Sequence, residues 1–97
     1  MRIGILRIVL HLPASHSLKA KRHVVAGLLK MVRSQFGVAA AEIGEGDRWQ
    51  LAEIGVACVS NETAHADEVM ASVVRFVEAR AGDAVLTKVS TEVLKIA

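Results

Sequence analysis

Four histidines, one cysteine and a Ser-His-Ser step are the residues of this 97-residue sequence whose types could support covalent, acid–base or metal chemistry. Ser15-His16-Ser17 sets hydroxyls and an imidazole side by side. A nucleophile and its base need a hydrogen bond between them and a third, acidic group to orient the ring. Sequence neighbours rarely reach that geometry, and no partner acid is evident. The serines read instead as helix caps, whose oxygens accept the free N–H groups of a first turn. His11, His16, His23 and His65 show no ligand spacing, and no acid near His16 or His23 would orient either ring. They read as surface or capping histidines. Cys58 alternates into an apolar run and reads as a small core residue, not a nucleophile. A single thiol excludes an internal disulfide and a zinc site of paired thiolates, and it fits a reduced compartment. The expectation is a protein without metal or cofactor and without a catalytic centre, although composition does not by itself close the enzymatic reading.

Positive charge is the more informative pattern. Net charge is only +2, but residues 1 to 41 carry Arg2, Arg7, Lys19, Lys21, Arg22, Lys30 and Arg33 and no acid. The remaining residues carry ten acids and five bases. Such asymmetry implies an anionic partner, pairing between the two halves, or both. The bases crowd "SHSLKAKRHVV", residues 15 to 25. Cations in a first turn oppose the helix dipole at about 0.3–1 kcal/mol each, so their placement there calls for a use. At 100° per residue Lys19, Arg22, Lys30 and Arg33 share the side away from Leu18, Val25, Leu29 and Val32, and Lys21 flanks them. His23 would join them when protonated. A row of this kind follows phosphates, giving affinity without sequence readout. The plain alternative is a solvated face that maintains solubility.

The elements that must carry these residues are clear. Residues 2 to 12 alternate as a strand: Gly4, Leu6, Ile8, Leu10 and Leu12 form one apolar face, and Ile3, Ile5, Arg7, Val9 and His11 a mixed one. A helix is expected over residues 18 to 35, ended by Gly37. Residues 38 to 60 read as a hairpin, with a weak strand at 38 to 43, a turn at Gly44–Arg48 and a clear strand from Trp49. A second helix follows caps offered by Ser60, Asn61 and Thr63, carries Ala66, Val69, Met70, Val73, Phe76 and Val77 as its stripe, and stops at Gly82-Asp83. Residues 84 to 96 form a last β-branched strand. The order β-α-β-β-α-β in one domain, residues 1–97, implies an α+β, ferredoxin-like sandwich with two helices on one face of a four-stranded antiparallel sheet. Only Phe36, Phe76 and Trp49 are aromatic, so the core is aliphatic, and Trp49 is expected to pack at the core's edge. Arg7 interrupts the first apolar run, no stretch approaches membrane-spanning length, and no signal-type segment opens the sequence, so a cytoplasmic protein is expected.

With the elements placed, "HLPASHSLKAKRHVV", "DRWQ" at residues 47 to 50 and "GVACVSNETAH" at 55 to 65 carry a resemblance over essentially the whole chain. The sequence resembles the YlxP-like family of small bacterial proteins of unknown function, the domain of unknown function 503. That resemblance implies a ferredoxin-like fold and a bacterial cytoplasmic protein. Family members are often encoded beside genes for translation initiation and ribosome maturation, which implies RNA or the ribosome as partner. The family supplies no catalytic residues to carry over.

Three roles follow. The first is an RNA- or ribosome-associated accessory protein using Lys19, Lys21, Arg22, His23, Lys30 and Arg33. The second is a homodimer or other interaction module using the open sheet face, with Ile3, Ile5, Arg7, Val9, Leu51 and Glu53 as its interface. The third, weaker, is a phosphate-handling enzyme of acylphosphatase type. Such enzymes place a glycine-containing anion loop after the first strand, whereas this loop holds Pro13, Ser15 and Ser17 and no glycine.

Overall fold

The computed structural model describes residues 1–97. In chain order its elements are β1 (Arg2–His11), α1 (Leu18–Phe36), β2 (Ala39–Gly44), β3 (Leu51–Ser60), α2 (Thr63–Arg80) and β4 (Val85–Lys95). The strands form one antiparallel sheet in the order β2-β3-β1-β4. β1 is therefore central, paired along its length with β3 and β4.

Period-two patterning sets which face is dry. Leu6, Ile8 and Leu10 of β1 and Ala52, Ile54, Val56 and Cys58 of β3 are buried beneath Val25, Leu28, Leu29 and Val32 of α1 and Ala66, Met70, Val73 and Val77 of α2. Both helices thus cover one face, and the other stays open, as the alternation implies. Gly4 lets α2 ride close to the sheet: a Cβ there would stand 2.7 Å from the Cys58 sulfur and 3.3 Å from the Ala66 Cβ. Cys58 is a buried free thiol in this contact, a core residue as read from its strand.

Local signals placed most helix ends. The Ser17 hydroxyl accepts from the Ala20 N–H at 3.0 Å and caps α1, while the Ser15 hydroxyl donates to the Ser17 carbonyl at 3.2 Å. Gly37 closes α1 in the left-handed region, φ 62°, its N–H donating to the Arg33 carbonyl. α2 differs from expectation. Its N-cap is Glu62, which makes no side-chain cap bond. Ser60 acts earlier instead, its hydroxyl accepting from the Glu62 N–H and contacting the His65 ring nitrogen at 3.0 Å. β2 begins one residue later than the alanine run implied, because Val38 turns into the core.

Candidate polyanion-binding face and the loop clamp beneath it

The crowded first turns of α1 divide into two unlike sets. Lys19, Arg22, His23, Lys30 and Arg33 are exposed. None of the five has a carboxylate within 4 Å; the three ion pairs of the protein lie elsewhere. Arg33 also donates to the Ala40 carbonyl at 2.8 Å, which steadies it at the far end of the row. At 1.5 Å rise per residue Lys19 and Arg33 stand about 21 Å apart along the axis. Between the two basic ends the helix surface is flat, because Ala26 and Gly27 are exposed. A Cβ on Gly27 would meet nothing within 4 Å. No packing need inside this chain explains a glycine that costs a helix interior about 1 kcal/mol relative to alanine.

Lys21 does not belong to that face. Its side chain is 0% exposed. It points under the helix toward the β2–β3 loop, donating to the Glu45 carbonyl at 2.6 Å and the Leu51 carbonyl at 3.1 Å. Its ammonium also lies 3.2 Å from Glu42 Oε2. Two carbonyl oxygens accept hydrogen bonds from the ammonium and the Glu42 carboxylate balances its charge at ion-pair distance, although Glu42 Oε2 is itself buried and takes no hydrogen bond. Lys21 is therefore corrected from binding residue to clamp: it pins the β2–β3 loop to the first turn of α1. Helical spacing explains the misplacement, since residue 21 lies on the inward side, in line with Val25, Leu28 and Val32.

The same clamp gathers the motif residues. The Leu12 N–H donates to the Gln50 carbonyl at 2.8 Å, and the Gln50 amide to the Pro13 carbonyl at 3.2 Å. Glu45, held by Lys21, takes a positive φ of 62° that non-glycine residues rarely adopt, and its carbonyl also accepts from the Arg48 N–H. The leucine-proline step, the second lysine of "SLKAK" and "DRWQ" thus meet at one end of the sheet. Trp49 departs from expectation. It is 55% exposed, not packed at the core edge, and it borders a cleft of about 390 Å³ with His11, Asp47, Arg48, Gln50 and Leu51. The structural reason is that β3 begins at Leu51, which leaves Trp49 in the loop.

On the open face, Ile3, Ile5, Arg7 and Val9 stand opposite Val59, Ala57, Gly55 and Glu53, and Leu51 lies opposite His11. All six interface candidates share this face, and each is half-buried. Arg7 and Glu53 form a hydrogen-bonded ion pair among them. That bond is the main cause of a Glu53 pKa below the ordinary glutamate range; the charges of Arg7 and Lys88 add to it, and desolvation opposes it. Covering this face would strip water from the pair, a cost that burial of its apolar neighbours would have to offset. The histidines do not converge: no group of three or more His, Cys, Asp or Glu side chains is placed to hold a metal ion. No helix is long and apolar enough to cross a membrane.

Strand order, helix layer and open sheet face together define a ferredoxin-like α+β sandwich. Two designed proteins share the fold: Foldit4 (TM-score 0.56, 6% identity, all of both chains) and LFR1 1, described as having a ferredoxin fold (TM-score 0.56, 8% identity, 99% of this chain and 87% of that one). Within that class, residues 3–91 match the model of the family described as "Protein of unknown function (DUF503)", and the chain belongs to that family. It is similar to the uncharacterized protein YlxP of Bacillus subtilis (strain 168), with 36% identity over 62 residues that span 64% of this chain and 67% of that protein.

Proposed function

We propose that this protein is a non-catalytic accessory protein that binds RNA, free or in the ribosome, through the outer face of α1. One observation carries the reading: Lys19, Arg22, Lys30 and Arg33 form an exposed row with no neutralising carboxylate, flanking the flat Ala26–Gly27 surface. Cations in such a row release counterions when they meet phosphates, and the resulting affinity falls steeply with salt. The glycine admits a backbone to close approach, a use that matches its lack of an internal packing role. Single-stranded RNA is the suitable probe, since the row reads charge and not base edges.

The test is a salt titration of RNA binding. Four phosphate contacts on a single strand give a slope of log K against log salt of about −3. Alanine at Lys19, Arg22, Lys30 and Arg33 together should bring that slope close to zero while circular dichroism stays native. Equal affinity and equal slope in wild type and quadruple variant would exclude this face as the binding surface.

A further inference from the structure

The sheet has two edges, and they differ. Both edge strands carry a one-residue bulge, β2 at Ile43 and β4 at Thr87, but β2 is only six residues long. Short strands are a usual protection of a free edge. β4 is eleven residues long, contains no proline and presents a free side along its whole length. It is also poorly covered on both faces. Val89 and Thr91 stand opposite the fully buried Ile8 and Leu6, yet both are exposed, because the helices do not reach over the edge strand. On the other face Lys88 and Glu92 stand opposite Val9 and Ile5, and neither makes an ion pair within the protein.

We infer that β4 pairs antiparallel with β4 of a second copy, joining two sheets into one of eight strands across a two-fold axis at Ser90. Charge complementarity selects this register. Ser90 is the midpoint of Val85–Lys95, so a dyad there centres the two strands on each other. The same dyad sets Lys88 opposite Glu92 of the second copy and Glu92 opposite its Lys88, on one face. It sets Val89 opposite Thr91, a pair of β-branched residues, on the other. Opposite charges directly across an antiparallel pair are stabilising and like charges destabilising. A shift of two residues loses both charge pairs, and parallel in-register pairing opposes Lys88 to Lys88. The charges that would deter promiscuous edge pairing therefore specify one partner, a second copy of this chain.

The bulge at Thr87, where β4 shifts register against β1, confines the regular ladder to residues 88–92 of each copy. Those five positions hold all the selective pairs. A dyad perpendicular to the sheet keeps both helix layers on the same side, so the α1 faces of the two copies point the same way and their charge rows add.

Sedimentation of wild type, Lys88→Glu, Glu92→Lys and the double variant tests the proposal. Both substituted positions are exposed, so the fold is retained, as far-ultraviolet circular dichroism checks. Wild type should sediment as a dimer. Each single variant faces two like-charge pairs and should dissociate at least about tenfold more readily. The double variant, with charges exchanged, should recover dimerisation. An equimolar mixture of the two single variants should form a heterodimer. One chain then carries glutamate at both positions and the other lysine at both, so each cross-strand pair is attractive. A wild-type monomer up to the solubility limit overturns the proposal. So does a dimer unaffected by either reversal, above all one abolished by Ile5→Asp, which would place the contact on the open face. None of these readouts uses RNA, and loss of RNA binding in the α1 variants leaves them unchanged.

Discussion

Replacing Lys21 by methionine isolates what the clamp contributes. Methionine retains most of the buried stem and removes only the ammonium. The Glu42 carboxylate loses its counter-charge, and the Glu45 and Leu51 carbonyls each lose a donor. Removing one partner of a buried ion pair costs about 3–5 kcal/mol, and a buried acceptor left without a donor about 1–3 kcal/mol. Two features place this site at the low end. Glu42 is partly exposed, and the Glu45 carbonyl keeps the Arg48 N–H. A loss of about 3 kcal/mol is therefore expected, a large share of a total stability of roughly 5–15 kcal/mol. In a chain of this size that lowers Tm by roughly 12–24 °C. Urea denaturation followed by circular dichroism, with a thermal scan alongside, measures it. Combining Lys21→Met with Glu42→Leu removes the stranded carboxylate and should recover at least half of the loss. A single-variant loss below about 1 kcal/mol, or a double variant no more stable than the single one, would refute the clamp. A clamp also predicts that folded Lys21→Met binds RNA with the wild-type salt slope, whereas loss of a phosphate contact would lower the magnitude of that slope by about 0.7.

Two glycines should respond in opposite directions. Gly27→Ala fills open space on a helix and should stabilise by up to about 1 kcal/mol in urea denaturation, while a bulkier residue there should weaken RNA binding. Gly4→Ala presses a methyl group into Cys58, Met70 and Ala66 and should destabilise by about 1–3 kcal/mol in the same assay. Ser17→Ala removes the α1 cap and should cost about 1 kcal/mol, read as an earlier thermal transition. Because Arg7 holds the Glu53 pKa below its unfolded value, the folded state gains stability from this group above about pH 4.3 and loses it as pH falls through the lowered value. Glu53→Gln should thus be less stable than wild type at neutral pH, and the gap should close in acid; a constant gap across a stability–pH series counts against the pairing.

The fold was legible because most residues vote the same way. β1 alternates without error, Leu6, Ile8 and Leu10 go inward, and Gly37 stops α1 where its conformational freedom is needed. Gly82 marks the end of α2 correctly, whereas the start is harder to read, because Asn61 and Thr63 have capping chemistry but the chain uses Ser60. Trp49 misleads for a related reason. Its side chain argues for burial, but its backbone belongs to a loop closed by Lys21, a contact between residues far apart in sequence. Lys21 is the hardest residue to place. Helical phase puts it near the core, but lysine is almost never buried without a partner, and the partners lie 21 to 30 residues further on. The signal that could find it is its phase with Val25, Leu28 and Val32, weighted above its charge.

That residue also explains the uneven distribution of charge along the chain. Of the seven bases in residues 1–41, Arg7 and Lys21 are neutralised by Glu53 and Glu42, which belong to the acidic remainder. Pairing between halves therefore accounts for part of the asymmetry, and it does so at structural points: one in the open sheet face, one beneath α1. The five bases left over are not scattered. Lys19, Arg22, Lys30 and Arg33 share one helix face, and Arg2 alone stands apart, donating to Thr63. Had the basic half served only to bind the acidic half, the unpaired charges would have no reason to align along a 19-residue helix beside an unneeded glycine. Alignment without carboxylate partners is the property that a binding surface needs and a merely soluble one does not, and it is what the salt titration of the quadruple variant measures.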